Sequence, residues 1–168
     1  MKNPLFLLSL FLLIGACSNT ETSSQANANE SAEETPEKSE VSNEEIAELV
    51  IGLEKENLDG WSSGEAGNYV KHYAKDATYM DDIGAQHRLE GADSIRAHIT
   101  RLGVPAHNYE MINPKVQVFD NTAALTFQYH PTLPDGTPGS KWKATIVYVL
   151  LDDGWKAVHG NWSFLEKK

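Results

Sequence analysis

Cysteine is almost absent from this chain, and its scarcity excludes a disulfide-stabilised fold. Cys17 is the single cysteine among the 168 residues, so no intrachain disulfide can form.

Long apolar runs are also missing. Residues 5–14 form an apolar run interrupted only by Ser9, which is about half the ~20 residues that a membrane-spanning helix requires. This run is therefore too short to be a transmembrane helix.

An excess of basic side chains is lacking as well. The formal net charge is -10. Residues 1–45 contain eight acidic and two basic side chains, which leaves 16 acidic and 12 basic ones in residues 46–168. The second part is mildly acidic and has no basic stripe that could follow a phosphate backbone, so we expect no nucleic-acid partner.

Metal-binding motifs are the third absence. Five histidines precede the last predicted strand and form no HxH or HExxH pattern, and CxxC is impossible with one cysteine: His72, His87, His98, His107 and His130. Such patterns bring ligands to one metal ion. We therefore expect no metal, and nothing in the sequence indicates a cofactor.

The N-terminus has the features of an export signal. Lys2 supplies a positive charge, the apolar run follows, and the run ends in Ile14-Gly15-Ala16-Cys17. Small residues followed by cysteine resemble the lipobox of bacterial lipoproteins. The resemblance implies a signal peptide at 1–16, cleavage before Cys17 and a lipid on its sulfur. The alternative is an ordinary signal peptide with a chance cysteine.

Lipidation at Cys17 would anchor the protein to a membrane of the cell envelope, since two or more acyl chains give stable attachment. Ser18, where an aspartate would resemble an inner-membrane retention signal, favours the outer membrane facing the periplasm. Residues 17–41 are then the lipidated cysteine and an acidic tether. The tether has too few apolar residues to offset its conformational entropy, so we expect disorder. It is a spacer or, alternatively, a binding tail.

Residues 42–168 have the patterns of one folded domain. Ser42 and Glu45 fit a capping box, and apolar spacing predicts helices at 43–61, 65–74 and 91–102. A strand is predicted at 77–80. Further strands are predicted at 109–119, 122–130, 141–151 and 155–165, with a Pro- and Gly-rich loop at 131–139. Helices followed by an antiparallel sheet indicate the α+β class.

The residues from Trp61 to Phe164 resemble SnoaL-like domains of the nuclear transport factor 2-like superfamily, particularly those akin to the association domain of calmodulin-dependent kinase II. The order and spacing of short segments carry the resemblance: Tyr79-Met80-Asp81, Leu89-Glu90-Gly91, residues 112–118, residues 122–127, Thr145 with Val147-Tyr148, and residues 153–163. The resemblance implies a cone in which three N-terminal helices pack into a curved antiparallel sheet and leave a pocket at the wide end.

Two positions depart from the pattern. Members close to the kinase domain often have an arginine after the residue matching Thr145, where this chain has Ile146. Many have a second histidine where this chain has Asn161. A basic, anion-attracting pocket is therefore not indicated.

Alternation along the last predicted strand assigns residues to two faces. Trp155, Ala157, His159, Asn161 and Ser163 share one face, which the resemblance makes the concave, pocket-lining one. We therefore expect a ligand pocket lined by six residues: His159, Asn161, Thr145, Trp155, Tyr79 and Asp81. His159 is a hydrogen-bonded structural residue, a ligand contact or a proton-transfer group. Asp81 is a general base or part of an exposed acidic loop.

The opposite face of the last two strands is apolar in this assignment: Trp142, Ala144, Ile146, Tyr148 and Leu150, with Val158, Trp162 and Phe164. An exposed patch of that size predicts a homodimer through the outer sheet face. The leading functional hypothesis is a membrane-anchored, non-catalytic domain that binds a small molecule or partner. The alternatives are a lyase, isomerase or cyclase of the SnoaL or ketosteroid isomerase type, and a structural dimerisation module.

Overall fold

The computed structural model describes residues 41–84 and 87–165 of the chain. The predicted signal peptide, the lipid-carrying Cys17 and residues 18–40 of the tether lie outside the described residues, so these stay predictions. Within the described ranges, no helix has both the length and the apolar character needed to cross a bilayer.

Helix α1, Asn43–Ser62, begins where the capping box predicts. The Ser42 hydroxyl accepts a hydrogen bond from the Glu45 amide at 3.2 Å, and the Glu45 carboxylate accepts one from the Ser42 amide at 2.9 Å. These bonds satisfy amides that a helix start leaves without partners. Further along, the buried face of α1 combines Val50 and Leu58 with two polar residues, Glu54 and Asn57.

The second helix is much shorter than predicted. A single 3-10 helix, Ala66–Val70, replaces the helix expected at 65–74, and strand β1 begins three residues later, at Tyr73–Asp81. The His72 amide donates to the Asn57 side chain at 3.1 Å, and the His72 carbonyl accepts from the Ala157 amide at 2.8 Å. These two partners hold the backbone of residue 72 in a sheet connection, so the helix cannot continue.

The remaining elements are strand β2, Leu89–Glu90, helix α2, Ala92–Leu102, and strands β3, Asn108–Phe119, β4, Thr122–Thr132, β5, Trp142–Leu151, and β6, Gly154–Phe164. The strands form one open, curved sheet in the order β2-β1-β6-β5-β4-β3. The α+β class is confirmed. The expectation of a wholly antiparallel sheet is wrong for one pair, because β1 runs parallel to β6.

A β-bulge in β6 changes which side chains face the helices. Val147 pairs with His159 and Tyr148 pairs with Ala157, so Val158 is an extra residue with no opposite partner on β5. An extra residue reverses the alternation beyond it. Trp155 and Ala157 are buried before the bulge, whereas Gly160 and Trp162 are buried after it. The prediction that residues 155, 157, 159, 161 and 163 share one face is therefore wrong.

The predicted apolar outer face is also wrong. Ala144, Ile146, Tyr148 and Trp162 are at most 8% exposed, and the Tyr148 hydroxyl donates to Glu54 of α1 at 2.7 Å. These side chains therefore face the helices. The outer face instead has polar cross-strand rows: Thr126, Thr145 and Asn161 in one, and Gln128, Lys143 and Ser163 in the next. A sheet with one polar face needs no partner to cover it.

Candidate functional site

A small cavity lies on the helix-facing side of the sheet and has mainly aromatic walls. Six aromatic side chains line it: Trp61, Tyr69, Tyr79, Tyr129, Trp142 and Trp162. Four aliphatic side chains complete the apolar lining: Leu58, Ile83, Ile99 and Leu102. The space open to the centre of a water-sized sphere is about 40 Å³. A single water needs about 10–15 Å³ on this measure, so the cavity holds about three waters or a group of similar size.

Trp162 organises the aromatic wall. Its ring makes edge-to-face contacts with Tyr69, Phe127 and Tyr129 at centroid distances of 6.1, 5.4 and 5.7 Å. The indole nitrogen donates to the Tyr69 hydroxyl at 2.9 Å. Edge-to-face geometry and a satisfied N–H fix the position of a large side chain. The cavity wall is therefore held in place before any ligand arrives.

A carboxylate and an imidazole are paired at this wall. Asp81 lines the cavity, and its Oδ2 lies 2.7 Å from Nε2 of His98. Both side chains are nearly inaccessible, at 2% and 3% exposed. The other oxygen, Oδ1, accepts hydrogen bonds from the amides of Ile83 and Gly84 at 2.9 and 2.8 Å. Burial of a charged group requires such partners.

The local sequence accounts for this placement. Asp81 ends β1, and its bonds to the two following amides form an Asx-type turn that redirects the chain. Asp82 points the other way, is exposed, and accepts from the Phe164 amide at 3.1 Å. His98 lies on the buried face of α2 between Ile95 and Ile99. The interpretation of Asp81 as part of an exposed loop is therefore wrong, although it holds for Asp82.

The contact on the far side of the His98 ring indicates its tautomer. Nδ1 of His98 lies 3.3 Å from Nη2 of Arg101. A guanidinium can only donate, so we assign Nδ1 as the acceptor. Nε2 is then the nitrogen whose hydrogen is directed at Oδ2 of Asp81.

A second polar cluster lies behind the aromatic wall. Glu54 is fully buried and accepts hydrogen bonds from Tyr148 at 2.7 Å, Asn57 at 3.2 Å and Tyr69 at 3.3 Å. Burial, which disfavours the charged form, raises the pKa of Glu54 to about 7 against the opposing effect of its three donors. The Tyr73 hydroxyl donates to that of Tyr69 at 2.9 Å. Tyr69 thus joins Glu54 to the cavity.

The six predicted site residues are not brought together. Tyr79 and Asp81 line the cavity, whereas Trp155 is buried elsewhere in the core. Thr145 and Asn161 lie in a groove on the outer sheet face. His159 is on that same face, half-buried, with its Nδ1 2.8 Å from the Thr78 hydroxyl. A ligand role for these outer residues stays a prediction, but they cannot share a pocket with Tyr79 and Asp81.

Sequence reasoning missed the residues that complete the cavity. His98 was considered only as a metal ligand, although its position three residues after Ile95 and beside Ile99 placed it on the apolar stripe of α2. That position was the available signal. Trp162 was assigned to the wrong face because of the bulge. In the ranges that the structure describes, no three His, Cys, Asp or Glu side chains are grouped as metal ligands would be.

The arrangement has two chemical capabilities. The aromatic walls can bury the apolar part of a small molecule, and the Asp81 carboxylate can attract a positive group or accept a proton. The contact with Nε2 of His98 fixes the orientation of the carboxylate that would take the proton. The cavity itself favours binding, whereas the Asp81–His98 pair is compatible with catalysis.

Comparison with known proteins identifies relatives. The model of the SnoaL-like domain matches residues 55–166. A candidate ketosteroid isomerase from Parabacteroides distasonis is 32% identical, with 74% of this chain and 91% of that chain covered and a TM-score of 0.64. A search of curated proteins gives no match.

Two more distant structures share the fold. A nuclear transport factor 2-like protein of unknown function from Pseudomonas putida is 17% identical, covers 73% of this chain and 96% of its own, and has a TM-score of 0.63. A candidate calcium/calmodulin-dependent protein kinase II association domain from Xanthomonas campestris is 14% identical, covers 77% and 91%, and has a TM-score of 0.57.

Proposed function

Because the chain belongs to the SnoaL-like domain family, we propose that its domain binds a small, largely apolar molecule without converting it. The observation that carries the proposal is the cavity with six aromatic side chains and one carboxylate. Apolar pockets with a few fixed polar groups are typical ligand sites. The predicted lipid on Cys17 would hold this binding domain at a membrane of the cell envelope.

A thermal-shift screen of small metabolites on the full-length chain tests this proposal. We expect ligands that raise the melting temperature to be recovered chemically unchanged. Trp61→Leu removes a partly exposed ring from the cavity wall and should weaken every such ligand, whereas Phe119→Leu, at an exposed residue of a hairpin end, should not. Stabilisation that is insensitive to Trp61→Leu would place the ligand elsewhere and refute the proposal.

A proton-transfer enzyme, such as an isomerase, lyase or cyclase, is the second candidate. The buried Asp81–His98 pair at 2.7 Å favours it, because a carboxylate held against an imidazole is suited to move a proton at a bound substrate. One relative is a candidate ketosteroid isomerase. Conversion of a screened compound that stops in Asp81→Asn and persists in Asp76→Asn, an exposed aspartate on the same strand, would establish this alternative.

Self-association through the outer sheet face is a third part of the proposal. The similarity in fold to an association domain supports self-association. The apolar outer face predicted from the sequence does not support it, because four of those side chains are buried against the helices. A dimer would have to use the polar row of Thr126, Thr145 and Asn161. Sedimentation of the full-length chain should give a dimer that Thr145→Arg disrupts. A monomer at tens of micromolar would refute it and would also leave no support for a purely structural dimerisation module.

A further inference from the structure

We propose that the buried part of the cavity takes the hydrocarbon end of an aromatic ring and excludes a hydroxyl group there. This inference rests on the proposed binding function and names its ligand class, a ring whose polar substituent stays at the solvent side. The wall contains polar atoms, but their hydrogen bonds are made within the protein. Among the described residues, every buried side-chain nitrogen and oxygen has a hydrogen-bond partner.

Two of the three tyrosines in the wall are hydrogen-bonded to acidic side chains. The Tyr69 hydroxyl donates to Glu54 of α1 at 3.3 Å, and its oxygen accepts from Tyr73 at 2.9 Å. The Tyr79 hydroxyl is hydrogen-bonded to Asp81. A tyrosine hydroxyl has a single hydrogen. Neither hydroxyl can therefore donate to a ligand without losing its partner in the protein.

The third tyrosine, Tyr129, is bonded to a histidine. Its hydroxyl oxygen lies 2.6 Å from Nε2 of His107, and Nδ1 of the same ring lies 2.8 Å from the Pro105 carbonyl oxygen. A carbonyl can only accept, so we assign the hydrogen to Nδ1 and make Nε2 the acceptor of the Tyr129 hydroxyl. Tyr129 is also hydrogen-bonded to the indole of Trp61. The hydrogen of this hydroxyl is therefore used as well.

The other polar groups of the buried wall also have partners. The Trp162 indole N–H donates to the Tyr69 hydroxyl at 2.9 Å. Asp81 interacts with two backbone amides, with His98 and with Tyr79. A ligand hydroxyl that entered here would lose its bonds to water and would have to displace one of these bonds, whereas a hydrocarbon group gives up nothing.

The shape and size of the cavity favour a ring. Trp162 meets three neighbouring rings edge to face, and an aromatic ligand can continue this arrangement. Room for about three waters corresponds to about 90 Å³ of liquid, which is the scale of one six-membered ring. The half-buried Trp61 and Trp142 and the exposed Ile83 line the more accessible side. A polar substituent of the ring can reach solvent past these residues.

The compounds 4-methylbenzyl alcohol and 4-hydroxybenzyl alcohol test the proposal directly. Both have an alcohol group that can remain at the solvent side, and the opposite end of the ring has a methyl group in one and a hydroxyl group of similar size in the other. The full-length chain, purified in nonionic detergent, is titrated with each compound by calorimetry, with detergent alone as the blank. The titration is made at pH 8, above the pKa of about 7 at which Glu54 ionises.

We expect the methyl compound to bind about tenfold more tightly than the hydroxyl compound, because burial of a hydroxyl group without a partner costs at least about 1 kcal/mol in proteins. Equal or tighter binding of the hydroxyl compound would overturn the inference and would leave small-molecule binding intact. Absence of binding by both compounds would overturn the inference as well, and the metabolite screen would then decide the binding function separately.

His107→Ala identifies the cause of the preference. It removes the acceptor of the Tyr129 hydroxyl, whose hydrogen can then serve a ligand hydroxyl, so the preference should fall to about threefold or less. His87→Ala, at an exposed site, should retain the preference of the parent chain. His107→Phe, which keeps a ring but has no acceptor, serves if His107→Ala fails to fold. A preference that both His107 variants leave unchanged would overturn the inference.

Trp61→Leu locates the bound ring. The indole lines the accessible side of the cavity, so its loss should weaken the binding of the methyl compound several-fold. Binding of the methyl compound that is insensitive to Trp61→Leu would place the ring elsewhere on the protein and would overturn the inference.

Discussion

The buried carboxyl of Glu54 should make the domain less stable as the pH rises through neutrality. Its pKa is about 7 in the folded chain because of burial, against 4.5 as the reference value. A group that binds its proton more tightly when folded adds stability that is complete below the unfolded pKa and is lost as pH rises to the folded pKa. The window for Glu54 is therefore pH 4.5 to about 7.

The expected size follows from the same values. One pKa unit corresponds to about 1.4 kcal/mol, so the shift from 4.5 to about 7 corresponds to about 3 kcal/mol of unfolding free energy. Such a loss is a large fraction of the 5–15 kcal/mol that is typical of a whole domain. Urea denaturation, followed by tryptophan fluorescence at pH 5 to 8.5, measures it.

Glu54→Gln isolates this effect. The amide cannot ionise, so the variant should have a flatter pH profile than the parent chain. It should be less stable at pH 5, because its NH₂ group faces donors, by about 1–3 kcal/mol, and should approach or exceed the parent at pH 8. Contributions that are common to both chains cancel in the difference. Glu48→Gln, at an exposed site on the same helix, should retain the parent profile. Parallel profiles for Glu54→Gln and the parent would refute the reasoning.

Further predictions concern packing and anchoring. Gly160→Ala should lower the unfolding free energy by about 1–3 kcal/mol, because the new Cβ would lie 2.6 Å from the Tyr73 hydroxyl. Gly52→Ala in α1 should raise it by about 0.5–1 kcal/mol, because the new Cβ meets nothing within 4 Å. Urea titration of both variants measures these opposite changes. Trp162→Glu should unfold the domain rather than yield folded monomers, as circular dichroism would reveal. Cys17→Ala should abolish fatty-acid labelling and release the protein from membranes, and a labelled, membrane-bound variant would exclude a lipobox.

Local signals in the sequence predicted most of the fold. Ser42 and Glu45 specified the start of α1 because a capping box depends only on residues three apart. The long strands followed from alternation and from turn residues between them. The prediction of a helix at 65–74 was wrong because the His72 amide donates to the Asn57 side chain, a tertiary contact. No local sequence pattern contains that information. The parallel pairing of β1 with β6 is likewise a property of topology.

The candidate site was less accessible to sequence reasoning because a single extra residue controls it. Val158 reverses the alternation of β6, so His159 and Asn161 turn outward and Trp162 turns into the core. Gly160 was the signal: the Tyr73 hydroxyl occupies the space of a side chain there, and glycine in a strand often marks a bulge or a close approach.

Because side chains two residues apart on a strand share a face, an inward Gly160 places Trp162 in the cavity wall. This assignment changes the chemistry of the site. An inward His159 and Asn161 would have given a polar pocket suited to a hydrogen-bonding ligand. An inward Trp162, with its indole bonded to Tyr69, gives an aromatic pocket in which Asp81 is the one acidic residue among the described lining residues. The position of one bulge in β6 therefore decides between a polar pocket and an aromatic one.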